Sequence, residues 1–335
     1  MNKTAPFVVN TQKSESLSSL FLTVDKNRFT HAIRRLHKRF CIYANTSTSP
    51  LPAQGLILTN NIRTQSELYL PISEITSVFY QLYSDVLSYT PIYSSTPFHN
   101  AMSWADVFCR LPSEFQTSAN PAKLLENLLC DPQMLIRFLF ASFLPNRFYG
   151  RVERYHGQYE FIRKWIAGKT RVTRCLDAAC GTGDGTYSLA KLLINQGFSV
   201  TDISIEGWTL EPLEVWVASH LRTVDSSALN KCITFRCNNL LTTTSIPTNH
   251  FNERFDLIVC NGLLGGPIIN ENGNIMLAVS NLVQLLSTGG LLLAANNFHG
   301  GWKQKCPQNN LRALFEKNGL KTFAAGEGIG GLKSY

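Results

Sequence analysis

No apolar run in this chain of 335 residues reaches the roughly 18 to 20 residues that a membrane-crossing helix requires, so no span is expected. The start, MNKTAPFVVNTQKSESLSS, lacks the basic-then-apolar order of a secretory signal. The nine cysteines include no C-x-x-C pair and are odd in number, which argues against both a zinc site and a disulfide scaffold. Cys175, Cys180 and Cys260 fall in apolar segments, where free buried thiols are common, and a reducing cytoplasm is the expected location. Charged side chains make up only 16% of the chain against 44% hydrophobic ones, a globular balance with ample material for a core.

The charge that is present is unevenly placed. Residues 1–60 carry eight basic and two acidic side chains, giving +6, and residues 151–175 carry seven against two, giving +5. Residues 176–300 have five against ten, or −5. Basic flanks around an acidic middle fit an anionic partner held beside a site that itself takes a cation.

Residues 1–20 are polar and Ser/Thr-rich, as a mobile tail would be, and 21–150 read as mainly helical. In DKNRFTHAIRRLHKRFCIYA, Phe29, Ile33, Leu36 and Phe40 recur at helical spacing, with Arg34, Arg35, Lys38 and Arg39 on the other face. PISEITSVFYQLYSDVLSY predicts a helix with Pro71 at its first position and an apolar face of Ile75, Phe79, Leu82 and Val86. NPAKLLENLLCDPQMLIRFLFASFLPNRFYG predicts two more, broken at Asp131-Pro132 and closed at Pro145. No internal repeat is present.

From 151 to 335 the texture changes to alternating strands and helices. RCLDAAC, SIEGWTLE, KCITFRCNN, FDLIVCNG, GGLLLAANN and LKTFAAGEG read as six strands, with helical segments between them. That alternation predicts an α/β fold with a mostly parallel sheet covered on both faces. Ligands on such sheets bind beyond the carboxyl ends of the strands. There lies CLDAACGTGDGTYSLA, with Gly181, Gly183 and Gly185 between a strand and a helix. A dinucleotide fingerprint needs its third glycine where Thr186 stands, and a phosphate loop needs a lysine that is missing. Asp184 near the helix start occupies the position a phosphate would want free of negative charge.

A ligand without phosphate is therefore indicated, and S-adenosylmethionine offers a sulfonium cation, a zwitterionic amino acid and a ribose diol. Asp177 at the end of the first strand suits the ammonium, and Glu211 after the second suits both ribose hydroxyls. Asn238 and Asn239, after the third, suit an adenine edge, with Leu240 and Leu263 as walls for the ring. Two bland readings stand beside these: Glu211 as a cap for a helix beginning at Pro212, and Asn239 as an ordinary turn residue.

LDAACGTGDGTYSLA resembles the first motif of class I S-adenosylmethionine-dependent methyltransferases. GTGDGTYSLA is similar to the chemotaxis-receptor (CheR-like) branch, as are ITFRCNNLL and FDLIVCNGLL, and LVQLLSTGGLLLAANN matches the helix, Gly-Gly turn and strand that follow. The branch's upstream Thr-x-Phe-Phe-Arg element is not evident. The resemblance spans about half the chain and implies a Rossmann-like sheet that binds S-adenosylmethionine. With the residue reading, it implies a cofactor site of Asp177, Ala179, Gly181, Thr182, Gly183, Glu211, Asn238, Asn239, Leu240 and Asn261, with no metal.

CNGLLGGP replaces the Asn-Pro-Pro-aromatic element of many base-amine methyltransferases, so an oxygen acceptor is expected, on a small molecule or a protein side chain. RFYGRVERYHGQYEFIRKW supplies Tyr149, Arg151, Arg154, Tyr155, His156 and Tyr159, and NNFHGGW supplies Asn297, His299 and Trp302. His156, His299 and Tyr155 are the candidate catalytic residues. The absence of a flexible linker predicts that the helical half covers the methyl end, with Tyr155 and Tyr159 on the inner wall. A cofactor-fold protein without turnover and a nucleic-acid methyltransferase, the latter resting on the basic flanks, are the alternatives. Nothing in the sequence sets an oligomeric state.

Overall fold

The computed structural model describes residues 17–144, 155–167, 169, 174–220, 229–242, 254–266, 268–295 and 306–334. The chain divides into two compact units, one of Glu15–Arg147 and one that contains Phe148–Tyr335.

The first unit is helical: α1 (Thr30–Thr46), α2 (Asn60–Tyr69), α3 (Ile72–Val86), α4 (Trp104–Arg110), α5 (Pro121–Cys130) and α6 (Pro132–Phe143). Asx-Pro pairs write two of the starts. Asn120 and Asp131 accept from the backbone N–H groups of the turns they precede, and the following prolines open α5 and α6 with no N–H to satisfy. Pro71 sits one residue earlier than its sequence suggests, at the cap of α3. On α1, Phe29, Leu36 and Tyr43 are buried, and Ile33 and Phe40 are only half-buried. The core gathers around Phe79, whose ring centroid lies 4.8 Å from Phe98, 5.8 Å from Phe138 and 6.4 Å from Trp104. Two buried polar groups beside it are paired, which offsets the cost of their burial. Tyr83 donates to Ser142 (2.9 Å) and Trp104 to the Ala119 carbonyl (2.6 Å).

The second unit is a Rossmann-like α/β layer structure. Its strands are β1 (Arg174–Asp177), β2 (Ser204–Thr209), β3 (Ile233–Cys237), β4 (Phe255–Val259), β5 (Leu286–Ala295), β6 (Leu320–Ala325) and β7 (Gly328–Lys333). Its helices are α7 (His156–Ile166), α8 (Asp184–Asn195), α9 (Pro212–His220), α10 (Asn272–Leu285) and α11 (Gln308–Lys317). The sheet order is β3-β2-β1-β4-β5-β7-β6, parallel from β3 to β5, with β7 antiparallel to both neighbours. Chain order reverses at β1, so the switch point falls between β1 and β4. Alternation along the strands feeds two cores. Cys175, Leu257, Leu291 and Leu293 pack with α7 and α8, and Leu176, Ile258 and Leu292 pack with α10 and α11.

The six expected strands are present, and a seventh, GIGGLK, closes the sheet as β7. Its glycines hide it from strand propensity, yet they are what lets it pair. A Cβ on Gly328 would lie 2.0 Å from the Ala294 carbonyl oxygen, and one on Gly330 would lie 2.3 Å from the Phe323 ring. Because the first clash is with backbone, Gly328→Ala should cost on the order of 1 to 3 kcal/mol of stability. Differential scanning calorimetry should show this as a lowered transition, and an unchanged transition would mean that β7 does not pair as seen.

Candidate functional site

At the carboxyl end of β1 the chain leaves the sheet through a turn that only bare backbone can make. Gly181 and Gly183 take φ of 52° and 90°, left-handed values that side chains resist. The Gly183 N–H returns to the Cys180 carbonyl (2.9 Å), and Cys180 N–H donates to Trp208 at the end of β2 (3.0 Å). Gly183 caps α8, with Asp184 in its first turn, and Thr182 Oγ1 reaches the Asp184 carboxylate at 3.4 Å.

At Gly183 the turn packs closely over the sheet. A Cβ there would meet the Phe235 ring at 2.8 Å and the Ala218 methyl group at 3.0 Å. The bareness of Gly183 admits the β3 ring beneath the loop. Gly207 on β2 meets the same ring, at 2.6 Å.

Asp177 is buried and accepts from Thr186 Oγ1 at 2.8 Å. Desolvation pushes its carboxyl up from 3.8 to about 6, against the Thr186 hydroxyl and the Ala179 N–H that favour the ionised form. No salt bridge among the described residues reaches it. This carboxylate is one that an ammonium group would relieve.

The stretch SIEGWTLE carries two acids with different duties. Glu206 accepts from Arg174 (2.8 Å) and Trp208 (3.1 Å) inside the sheet. Glu211 lies beyond the end of β2, buried at 4% exposure, and its carbonyl accepts from Val215 as α9 opens. After β3, Asn238 N–H continues the ladder to Thr209 (2.9 Å), and Asn239 Oδ1 accepts from Leu241 N–H (2.9 Å), an Asx turn. Leu240 is a core residue, and Leu263 packs beside it. Buried Asn281 donates to the Leu240 carbonyl (2.6 Å).

After β4, Asn261 stands half-buried at the switch point, with Oδ1 on the Ala295 N–H (2.8 Å) and Nδ2 on Gln158 (2.7 Å). Gln158 belongs to α7, whose first turn crosses the same edge. Tyr159 donates to the Gly185 carbonyl (3.4 Å), and the Tyr155 hydroxyl lies 3.8 Å from where a Cβ of Gly262 would stand. His156 is exposed at the start of the helix. Glu327, at the tip of the β6–β7 hairpin, accepts from the N–H groups of Gly157 (2.8 Å) and Gln158 (3.0 Å). His299 lies outside the described residues, as do Tyr149, Arg151, Arg154, Asn297 and Trp302.

Sequence reasoning missed Thr186, Gln158, Phe235 and Glu327. Only Gln158 left a trace, as the one polar residue on the otherwise apolar face of Tyr159, Ile162 and Ile166. The basic helix also reads differently in three dimensions. Arg35 and Arg39 both pair with Glu74, and Arg28, just ahead of α1, pairs with Asp85.

No family model and no curated protein matches the chain. Solved structures similar to it include methyltransferases. With the amino pentose methyltransferase CalS10 of Micromonospora echinaspora, in its SAM-bound form, the TM-score is 0.39 at 14% identity, over 54% of this chain and 92% of that one. With DesVI of Streptomyces venezuelae it is 0.39 at 14% identity, over 61% and 99%. With a TehB-like SAM-dependent methyltransferase of Corynebacterium glutamicum it is 0.37 at 19% identity, over 61% and 97%.

The raised Asp177 value has a definite sign for stability. A carboxyl whose folded pKa exceeds its unfolded one contributes fully while protonated, below about 4, and that contribution is lost as pH rises through about 6. Asp177→Asn should therefore raise the melting temperature of the ligand-free protein at pH 7.5, on the order of 5 °C, and much less near pH 4.5. An equal change at both pH values would show that the ionised carboxylate is not strained. Gly183→Ala should lower the melting temperature at either pH, through Phe235 and the left-handed backbone.

Proposed function

We propose that this chain is an S-adenosylmethionine-dependent methyltransferase acting on an oxygen, hydroxyl or carboxylate, of a small molecule or a protein side chain. The observation that carries the reading is the buried, charge-starved Asp177 under a left-handed glycine turn, with a second buried carboxylate, Glu211, one strand along. A dinucleotide or nucleotide phosphate would meet two carboxylates there and no lysine. A ligand with an ammonium group and a ribose diol meets what it needs.

Bound there, S-adenosylmethionine supplies an electrophilic methyl group on a sulfonium. Asp177 holds the ammonium, and Glu211 accepts from the ribose hydroxyls. The backbone of Ala179, Gly181 and Thr182 borders the amino acid, and Asn238, Asn239 and Leu240 border the adenine. Asn261 marks the switch point beyond β1, where the acceptor would approach. Displacement at the methyl carbon disperses charge, so holding the acceptor in line is the main task of the protein. Tyr155 and His156 stand at that edge, and a hydroxyl acceptor would lose its proton to His156 or His299. GTGDGTYSLA and ITFRCNNLL support kinship with the chemotaxis-receptor branch, in keeping with an anionic acceptor. The pairing of Arg35 and Arg39 with Glu74 reduces the basic face that α1 would offer a nucleic acid, leaving Arg34 and Lys38 exposed on it.

Calorimetric titration with S-adenosylhomocysteine tests the reading, with NAD and ATP as ligands that should not bind. Affinity should fall as pH drops below about 6, because protonation removes the charge that holds the ammonium, and Asp177→Asn should flatten that profile. Glu211→Ala should cost on the order of 1 to 3 kcal/mol of affinity. Binding of NAD in place of the thioether, or full affinity in the Glu211 variant, would overturn the assignment.

A further inference from the structure

Of the described side-chain atoms that are buried and lack a hydrogen-bond partner, one alone is a nitrogen: Gln158 Nε2. The side chain is 1% exposed, so this is a donor removed from water with nothing to receive it, a state that costs free energy.

Its orientation is fixed by a relay and not by choice of amide flip. The Ala295 backbone N–H can only donate, so the atom of Asn261 that meets it at 2.8 Å is the oxygen. Asn261 then presents its nitrogen to Gln158, 2.7 Å away, and Gln158 must answer with its own oxygen. The relay leaves the Gln158 NH2 as its terminal donor.

The place is also fixed. The first turn of α7 is pinned to the glycine-loop helix through Tyr159 and Gly185, to the post-β4 loop through Asn261, and to the β6–β7 hairpin through Glu327. Asn261, which bonds Gln158, and Tyr155 and Gly262, which approach each other, are half-exposed at the same carboxyl edge. Along that edge β3, β2 and β1 take adenine, ribose and ammonium in turn, so β4, the next strand, faces what lies past the ammonium. In an α-amino acid that is the carboxylate, which the nearby acids cannot hold.

We infer that Gln158 Nε2, positioned by Asn261, is the hydrogen-bond donor to a ligand carboxylate at the β4 edge of the site. The inference rests on the cofactor reading above. The carboxylate is that of the cofactor's amino acid or that of an acidic acceptor, and the two sources share one chemistry.

Two variants and two nucleosides test this by calorimetry. Gln158→Glu keeps an oxygen for Asn261 and replaces the donor with an anion, and Gln158→Met removes both functions at similar size. S-adenosylhomocysteine carries the amino acid, and 5′-methylthioadenosine lacks it. A cofactor carboxylate predicts that both variants bind S-adenosylhomocysteine roughly ten- to a hundredfold more weakly and 5′-methylthioadenosine as the wild type does. An acceptor carboxylate predicts unchanged nucleoside affinities. In that case millimolar acetate should raise the melting temperature of the wild type saturated with S-adenosylhomocysteine, and should not do so in Gln158→Met. Equal weakening of both nucleosides makes the amide merely structural and overturns the inference, as does the absence of any difference in all three measurements. Failure of the wild type to bind either nucleoside is a separate result, which overturns the cofactor reading itself.

Discussion

A carboxylate kept out of water at the end of β1 is the constraint around which this site is arranged. Asp177 is desolvated enough to push its carboxyl to about 6, and only Thr186 and a backbone N–H offset that burial. Thr186 reaches back because α8 begins directly above β1, and α8 begins there because Gly181 and Gly183 let the chain turn in so few residues. The turn in turn rests on Phe235, which fills the space that side chains at Gly183 and Gly207 would take. Strand pairing, glycine placement and the electrostatics of one acid are thus a single packing problem.

Much of this was legible in the sequence because it is written in local signals. Apolar runs mark β1 to β6, and Asx-Pro pairs mark the starts of α5 and α6. Asp177 and Glu211 follow from strand ends and the spacing of one βα unit. The parts that escaped depend on partners distant in sequence. β7 looks like a loop until Ala294 and Phe323 are seen to require its glycines. That Gly183 must be bare to admit Phe235, 52 residues later, is also invisible along the chain. The seven residues of α4 are too short to show a period, and α2 buries only Ile62 and Ser66. Glu327 caps a helix 169 residues away, a relation that no pattern along the chain encodes.

Charge counted along the chain proved a coarse guide to surfaces. The +6 of residues 1–60 suggested a free basic face, but three of its arginines lie against Glu74 and Asp85 from the neighbouring α3. Exposed pairs of this kind contribute little stability. Their consequence here is to weaken, without cancelling, a stripe that would attract polyanions. The acidic balance of residues 176–300 is different in kind, because Asp177 and Glu211 are buried acids with no room for bulk water to screen them. A charge of the first kind is screened at the surface, and a buried one acts undiminished on whatever lies beside it.

The first turn of α7 shows how the edge of the sheet divides its labour. Glu327 reaches that turn, yet both its oxygens are taken by the Gly157 and Gln158 N–H groups, so it serves as a tether. Asn261, at the switch point, is likewise occupied on both sides of its amide. What reaches the edge is neutral or aromatic: the Gln158 amide, the Tyr155 hydroxyl and the His156 imidazole. Among the described residues, this first turn of α7 has few groups to remove a proton and several to fix a position. Transfer of a methyl group from a sulfonium, in which charge is dispersed and not created, is a reaction that such furnishing can serve.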